Sequence, residues 1–516
     1  MKNFGTKLFT IIKEHKNILF LSLGLAILNI VFLGICFSSR GLSFGKTFIL
    51  ILVLSLVLEF LLVSTLIYTK KKQWKIEKIF LVIGLPIGLI FTFALPISCA
   101  PDEVSHFYRI YEITGGTMVS ATTEEGEIGS YQNANLPATI DNLERGNVHY
   151  GQVIDNFSIR ADNEEEVFVV TSAYGYNILS YLPHVTGMWI GKTIGLPILG
   201  AAYLAKIFHL LTCITLIYFA LKLIPFLKKA LFFIAFLPIT IQSMSSLSAD
   251  GFIICVSLLF ISYVLHLIYS EKNIISKKQL AYILLLCIFI SLSKVVYAPL
   301  CFLLFAIPKE KFGNTKIKLM SIFLLGIITF AILLLWIMVM PSMQSVSDTG
   351  AQISSIIHNP FKYFAILINS LSQNGPMYLH GILGRYLEWF DVVLSPLYVI
   401  ASGIIFVVMC VKNHEQFTVN KSLRYLSIAI LALTATMTFT IMYIQWTKVG
   451  ETVIDGVQGR YFLPEALLIA LVCLPTTKPS SKKQLPIKAE SHNYYLYTFI
   501  VFESVYAIAT IVCTHI

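Results

Sequence analysis

Residues 17–38 contain no Asp, Glu, Lys or Arg, and runs of this kind recur along the chain. The hydrocarbon layer of a bilayer is roughly 30 Å thick, which an α-helix crosses in about 20 residues. In lipid every backbone N–H and C=O must be paired within the protein, so such runs are helices unless the chain closes into a barrel. They are too long for barrel strands. Hydrophobic residues make up 56% of the 516 residues and charged ones only 13%, and the mean hydropathy is +0.77. A chain of that balance has lipid as its main solvent. The expected fold class is all-α, a polytopic transmembrane helical bundle.

The net charge of +10 would suggest nucleic acid for a soluble protein. Here Lys and Arg collect in short turns between apolar runs, as in KKKQWKIEK at 70–78, where they orient a membrane protein by the positive-inside rule. The expected partner is therefore the lipid bilayer and not nucleic acid. Residues 99–175 carry thirteen Asp plus Glu against three Arg and no Lys, the opposite bias, and read as the main external loop. The nine cysteines lie mostly inside apolar runs without metal-ligand spacing, so neither a disulfide framework nor a zinc site is expected. The N-terminal stretch MKNFGTKLFTIIKEHK is basic, and the apolar run after it is span-length and ends in SSRG without a small-residue cleavage site. It reads as an uncleaved first span.

From a cytoplasmic N-terminus, residues 1–78 hold two membrane helices, 79–475 a membrane core, and 476–516 a cytoplasmic linker with a last span. Spans are expected at roughly 17–38, 47–69, 79–98, 198–223, 229–245, 251–270, 319–340, 392–411, 424–446, 461–475 and 494–513. The stretch YLPHVTGMWIGKTIGLP, punctuated by Pro and Gly, reads as an interfacial or re-entrant helix. Basic turns at 272–278 and 309–318 flank an apolar run over 279–307 that is long enough for one span only. Both turns belong on the cytoplasmic side, so the run must be a helical hairpin of two short arms with its tip near Ser293-Lys294, buried in the bundle. The total is about 12–13 membrane helices, with external loops 99–196, 341–390 and 447–460 converging on one face.

The strongest local pattern is PDEVSHFYR at 101–109, just beyond the third span. Pro101 suits the first turn of a helix, on which Asp102, His106 and Arg109 fall at i, i+4 and i+7 and share a face. A blander reading has Asp102 and Glu103 complementing the helix N-terminus while Arg109 reaches to headgroups. Arg460, followed by Tyr461 and Phe462 at an external span end, offers a planar fork for phosphate oxygens or, alternatively, an interfacial anchor. Asp250, after Ser245, Ser246 and Ser248, could bind sugar hydroxyls, orient a basic residue or help hold a divalent ion, or merely cap the helix that follows. Lys294 sits amid 29 largely apolar residues at 279–307 and needs water, a carboxylate or a phosphate. His184 and Lys192 on the re-entrant stretch, and Arg385, Glu388 and Asp391 before the span near 392, are further cavity-lining candidates. Asp102, Glu103 and Asp250 are the residues that could hold a divalent metal; His106, His149, His184 and Glu103 lack regular ligand spacing. P-loop, GxSxG and HExxH motifs are absent.

At these residues the chain resembles the bacterial membrane proteins of the DUF2142 type, similar in layout to the GT-C membrane glycosyltransferases. The resemblance continues in order through SYLPHVTGMWIGKTIGLP at 180–197, ALKLIP at 220–225, SSLSAD at 245–250, SKVVYAPL at 293–300 and QGRYFLPEALL at 458–468, covering roughly residues 80–470. It implies a GT-C-like bundle in a bacterial cytoplasmic membrane, moving a sugar from a polyprenyl-phosphate-linked donor to a glycan or cell-wall polymer at the external face. It also implies an acidic catalytic base in the first external loop, a position matched here by Asp102 with Glu103 beside it. Charge that builds on the leaving phosphate needs a fixed cation, the role expected of Arg460 with Lys294. A transporter or flippase of lipid-linked saccharides, a polymerase joining whole repeat units, and a non-catalytic partner in envelope assembly are the competing expectations.

Overall fold

In a computed structural model the chain is predominantly helical; residues 2–143, 148–270, 274–341, 347–412, 419–474 and 493–516 are described. Eight helices among them are long and apolar enough to cross a membrane. These are α1 (Lys2–Ser39), α2 (Lys46–Lys71), α3 (Ile76–Ala94), α8 (Ile198–Leu223), α11 (Asp250–Tyr269), α13 (Thr315–Val339), α17 (Lys421–Gln445) and α19 (Tyr494–Thr514). The chain is thus an all-α polytopic bundle. The segment after α3 contributes α4 (Glu103–Thr114), α5 (Asn135–Asp141), α6 (Tyr150–Asp155) and α7 (Leu182–Thr193), with a small antiparallel sheet of β1 (Ala121–Thr122), β2 (Ile128–Asn133) and β3 (Glu166–Val170).

The other expected spans are broken helices. The apolar run at 229–245 divides into α9 (Lys228–Phe236) and α10 (Pro238–Met244) because Leu237, ahead of a proline, turns extended with ψ 133. A similar break makes 461–475 a 3-10 turn over Gly459–Glu465 followed by α18 (Ala466–Cys473). The span near 392–411 shortens to α16 (Pro396–Lys412), preceded by α14 (Thr349–His358), α15 (Pro360–Ile382) and the strand pair β4 (Tyr386–Leu387) and β5 (Val392–Val393). The expected cytoplasmic linker at 476–492 lies outside the described residues.

The hairpin is present: α12 (Lys277–Ser293) runs up, Lys294 turns extended, and a 3-10 helix over Val295–Ala306 returns. Its ends meet, with Ile275 N–H donating to the Lys311 carbonyl at 2.8 Å. The arms are longer than expected. Seventeen α-residues rise about 25 Å, and twelve 3-10 residues, rising about 2 Å each, cover nearly the same distance. Lys294 is therefore carried to the far end of the bundle.

The lysine-rich turns share one end. Lys70 lies over the ring of Tyr494 at 5.8 Å, Phe226 packs on Tyr269 at 5.1 Å, and Arg424 donates to the Leu474 carbonyl. In the centre, α11 and α19 are 89% and 94% buried over their apolar stretches, whereas α13 is 17% buried and presents its side chains outward. Helix α7 packs closely on α8. A Cβ on Gly187 would stand 2.6 Å from the Leu204 carbonyl oxygen and one on Gly191 2.8 Å from Ala201, so only glycine permits this approach.

Candidate functional site

At the end remote from the lysine-rich turns, the chain leaves α3 and turns through two left-handed residues, Ser98 (φ 76) and Asp102 (φ 61), before α4 begins at Glu103. Asp102 is thus the residue before the helix and not part of it, so the single face expected for Asp102, His106 and Arg109 does not form. Its carboxylate, 40% exposed, stands 3.3 Å from Arg460 Nη2. Glu103 points the other way into the interior. Its Oε2 accepts from Ala100 N–H at 3.1 Å and its Oε1 from Leu247 N–H at 3.0 Å, while Lys206 approaches at 3.9 Å and donates to the Leu95 carbonyl. Glu103 thereby joins the PDE turn to the SSLSAD turn.

Asp250 is the first residue of α11, following the N-cap Ala249, so it does not hold the capping position. Its Oδ1 instead receives Lys294 Nζ at 2.8 Å, and its Oδ2 lies 3.0 Å from Arg460 Nε. The latter is an ion-pair contact without hydrogen-bond alignment. Arg460, only 7% exposed, therefore bridges two carboxylates. Rings surround the cations: Tyr461 lies 4.8 Å from Lys294 and 5.3 Å from Arg460, and Tyr176 lies 5.3 Å from Lys294. Tyr297 donates to the Tyr461 carbonyl at 2.8 Å, and Ser180 to Ser293 at 2.9 Å. The site is a chain of alternating charge, Asp102, Arg460, Asp250 and Lys294, with one carboxylate open to solvent.

His106 backs this cluster. Its Nδ1 is 2.5 Å from the Tyr181 hydroxyl and its ring lies 5.0 Å from that of Tyr176. Burial pushes the imidazole down to about 3 and the Tyr181 hydroxyl well up, so neutral His106 accepts a hydrogen bond from a phenol that keeps its proton. His184 is also buried, its Nε2 3.1 Å from the Ser246 carbonyl oxygen and its ring stacked on His209 at 3.9 Å, supporting the SSLSAD turn from below.

Other sequence candidates lie apart. Arg109 is fully buried and donates to Glu112 at 2.7 Å and to the Met118 carbonyl at 2.7 Å, fixing the turn after α4. Lys192 lies over Tyr111 at 4.0 Å. Arg385 contacts His380 and Tyr386, and the Asp391 carbonyl faces Arg40 at 3.4 Å. Glu388 bonds His515 at 2.7 Å, and these two with Cys99 bring one ligand-capable atom each within 4.8 Å of one another. No sequence spacing signals that group, since its members come from three distant segments. The carboxylates considered for a divalent ion are engaged otherwise: both oxygens of Glu103 hold backbone N–H groups and both of Asp250 face cations. This arrangement does not fit a metal at those three residues.

Sequence reasoning passed over Tyr176, Tyr181 and Tyr297. The position of Tyr297 three residues after Lys294 was its one local signal. His149 lies elsewhere, in a capping box with Gln152 at the start of α6.

The family model described as "Predicted membrane protein (DUF2142)" matches residues 85–469. No curated protein and no solved structure matches the chain. The matched region holds all four members of the charged cluster, and its ordered motifs at 101–109, 180–197, 245–250, 293–300 and 458–468 meet around that cluster. The chain belongs to the DUF2142 family of predicted membrane proteins.

Proposed function

We propose that this protein is a membrane glycosyltransferase of GT-C-like design, moving a sugar from a polyprenyl-phosphate donor to a cell-surface glycan at the external face of a bacterial cytoplasmic membrane. The observation that carries this reading is the pairing of a half-exposed carboxylate, Asp102, with a buried guanidinium, Arg460, whose other side is held by Asp250.

The four charges sum to zero at rest. A donor phosphodiester brings one negative charge and competes with Asp102 for Arg460, since the Asp102 contact is the longer and more exposed of the two. Displaced from the guanidinium, Asp102 becomes a better base for the acceptor hydroxyl. When it takes that proton, Arg460 and Lys294 are left with Asp250 as their one counter-carboxylate. A net positive charge then faces the phosphate as its second negative charge develops, which stabilises the leaving group. Tyr461 and Tyr176 provide ring faces of the kind that pack on sugars and prenyl chains.

The test is to incubate purified protein in detergent with a panel of polyprenyl-phosphate sugars, with and without glycan acceptors. Donor consumption by the wild type and its loss in Asp102→Asn is the expected outcome; an inert wild type across the panel counts against the reading. Transport of a lipid-linked saccharide is the second reading. It is favoured by buried carboxyl groups in or beside the apolar helices: Glu59 receives Asn29 at 2.5 Å, Glu503 receives Ser402 and Glu465, at the start of α18, receives Thr434. Proteoliposomes that scramble a fluorescent lipid-linked saccharide without consuming it would establish transport instead.

A further inference from the structure

The helices outside the family-matched region, α1, α2 and α19, pack together, and α1 and α19 run parallel. Asn17 contacts the Tyr495 hydroxyl at 3.3 Å, Asn29 the Phe502 carbonyl at 3.1 Å, and Cys36 Sγ lies 3.1 Å from Cys513 Sγ. Register is thus kept from one end of the pair to the other, and the two thiols meet at its final turn. We propose that Cys36 and Cys513 form a disulfide that staples α1 to α19.

Three observations support this. The sulfurs are closer than two non-bonded sulfur atoms rest, and a bond of about 2.05 Å needs an approach of only about 1 Å. Both sit where the helices end, at Ser39 and Thr514, so small adjustments there disturb no inner turn. Around them Leu33, Phe37, Ile51 and Ala509 form a closed apolar cluster that holds the pair in place. The compartment is also suitable. This end carries the Asp102 cluster and lies opposite the lysine-rich turns, which charge bias assigns to the cytoplasm, so the thiols face the oxidising side.

The oxidant is the disulfide of a dithiol–disulfide oxidoreductase acting on that side. One cysteine thiolate attacks a sulfur of that disulfide, breaking its S–S bond and forming a mixed disulfide. The second cysteine displaces the oxidoreductase thiolate, and the two protons end on its reduced dithiol. The product links positions 477 residues apart and closes the terminal helices into a unit beside the 85–469 core.

The experiment uses full-length protein from cells lysed in N-ethylmaleimide, denatured and digested without reductant. The expected result is a Cys36–Cys513 linked peptide, free of maleimide and released by phosphine, with Cys36→Ser leaving Cys513 alkylated. Phosphine should also lower the melting temperature of wild type in detergent and leave that of Cys36→Ser unmoved. Maleimide on both Cys36 and Cys513 of the wild type from blocked cells would overturn the proposal, and that measurement depends on no variant.

Discussion

Asp102 keeps 40% of its side chain exposed and makes one ion pair, whereas Glu103 is sealed inside with both oxygens on backbone N–H groups. Substitutions at the two should therefore fail differently. Asp102→Asn keeps shape but removes the carboxylate, so on the proposed reaction turnover should fall roughly 100-fold or more with little change in melting temperature. Glu103→Gln turns an amide NH2 toward one of two backbone donors, leaving that donor unsatisfied at about 1–3 kcal/mol. Its mark should be lower thermal stability, and a purely kinetic defect there would contradict the structural role. Arg460 meets Asp102 through Nη2 and Asp250 through Nε, two directions that a lysine point charge cannot serve together. Arg460→Lys should raise KM for a defined lipid-linked donor and lower kcat, and near-normal kinetics would remove Arg460 from the site.

Among elements, the broken segments decide where the site forms. The hairpin lifts Lys294 to Asp250, and the 3-10 turn at Gly459–Glu465 sets Arg460 beside it. Gly459 makes that placement possible: a Cβ there would lie 2.5 Å from both Ile382 N and the Tyr378 carbonyl oxygen, and backbone cannot yield as a side chain does. Gly459→Ala should push the turn off α15, costing both stability and donor turnover, while Gly326→Ala, where a Cβ meets nothing within 4 Å, should be neutral. Apolar runs and charge bias made the spans and the hairpin tip legible in the sequence, and local motifs singled out Asp102, Asp250, Lys294 and Arg460, which the fold brings together. Helix breaks were harder to read, since Leu237-Pro238 and the 3-10 arm after Lys294 keep the same apolar composition as unbroken helix. Arg109 was misread because its partner Glu112 lies one turn along its own helix and Met118 beyond it. Cys36 with Cys513, and Cys99 with Glu388 and His515, could not be read locally, being joined only by the folded topology.

At the scale of the whole molecule, an odd or even number of crossings determines on which side of the membrane each segment lies. Parallel packing of α1 on α19 requires an odd number of crossings between the end of one and the start of the other. The hairpin meets this only by returning to its own side, as the Ile275–Lys311 hydrogen bond indicates. Single cysteines at the exposed positions Glu124 and Thr315, in a Cys473→Ser background because Cys473 is itself exposed, report the two sides. An impermeant maleimide applied to intact cells should label Glu124→Cys and reach Thr315→Cys only after permeabilisation. If 279–307 crossed once instead, Thr315 would lie on the same side as Glu124 and both would label in intact cells. The hairpin, and with it the placement of Lys294 beside Asp250, would then be untenable.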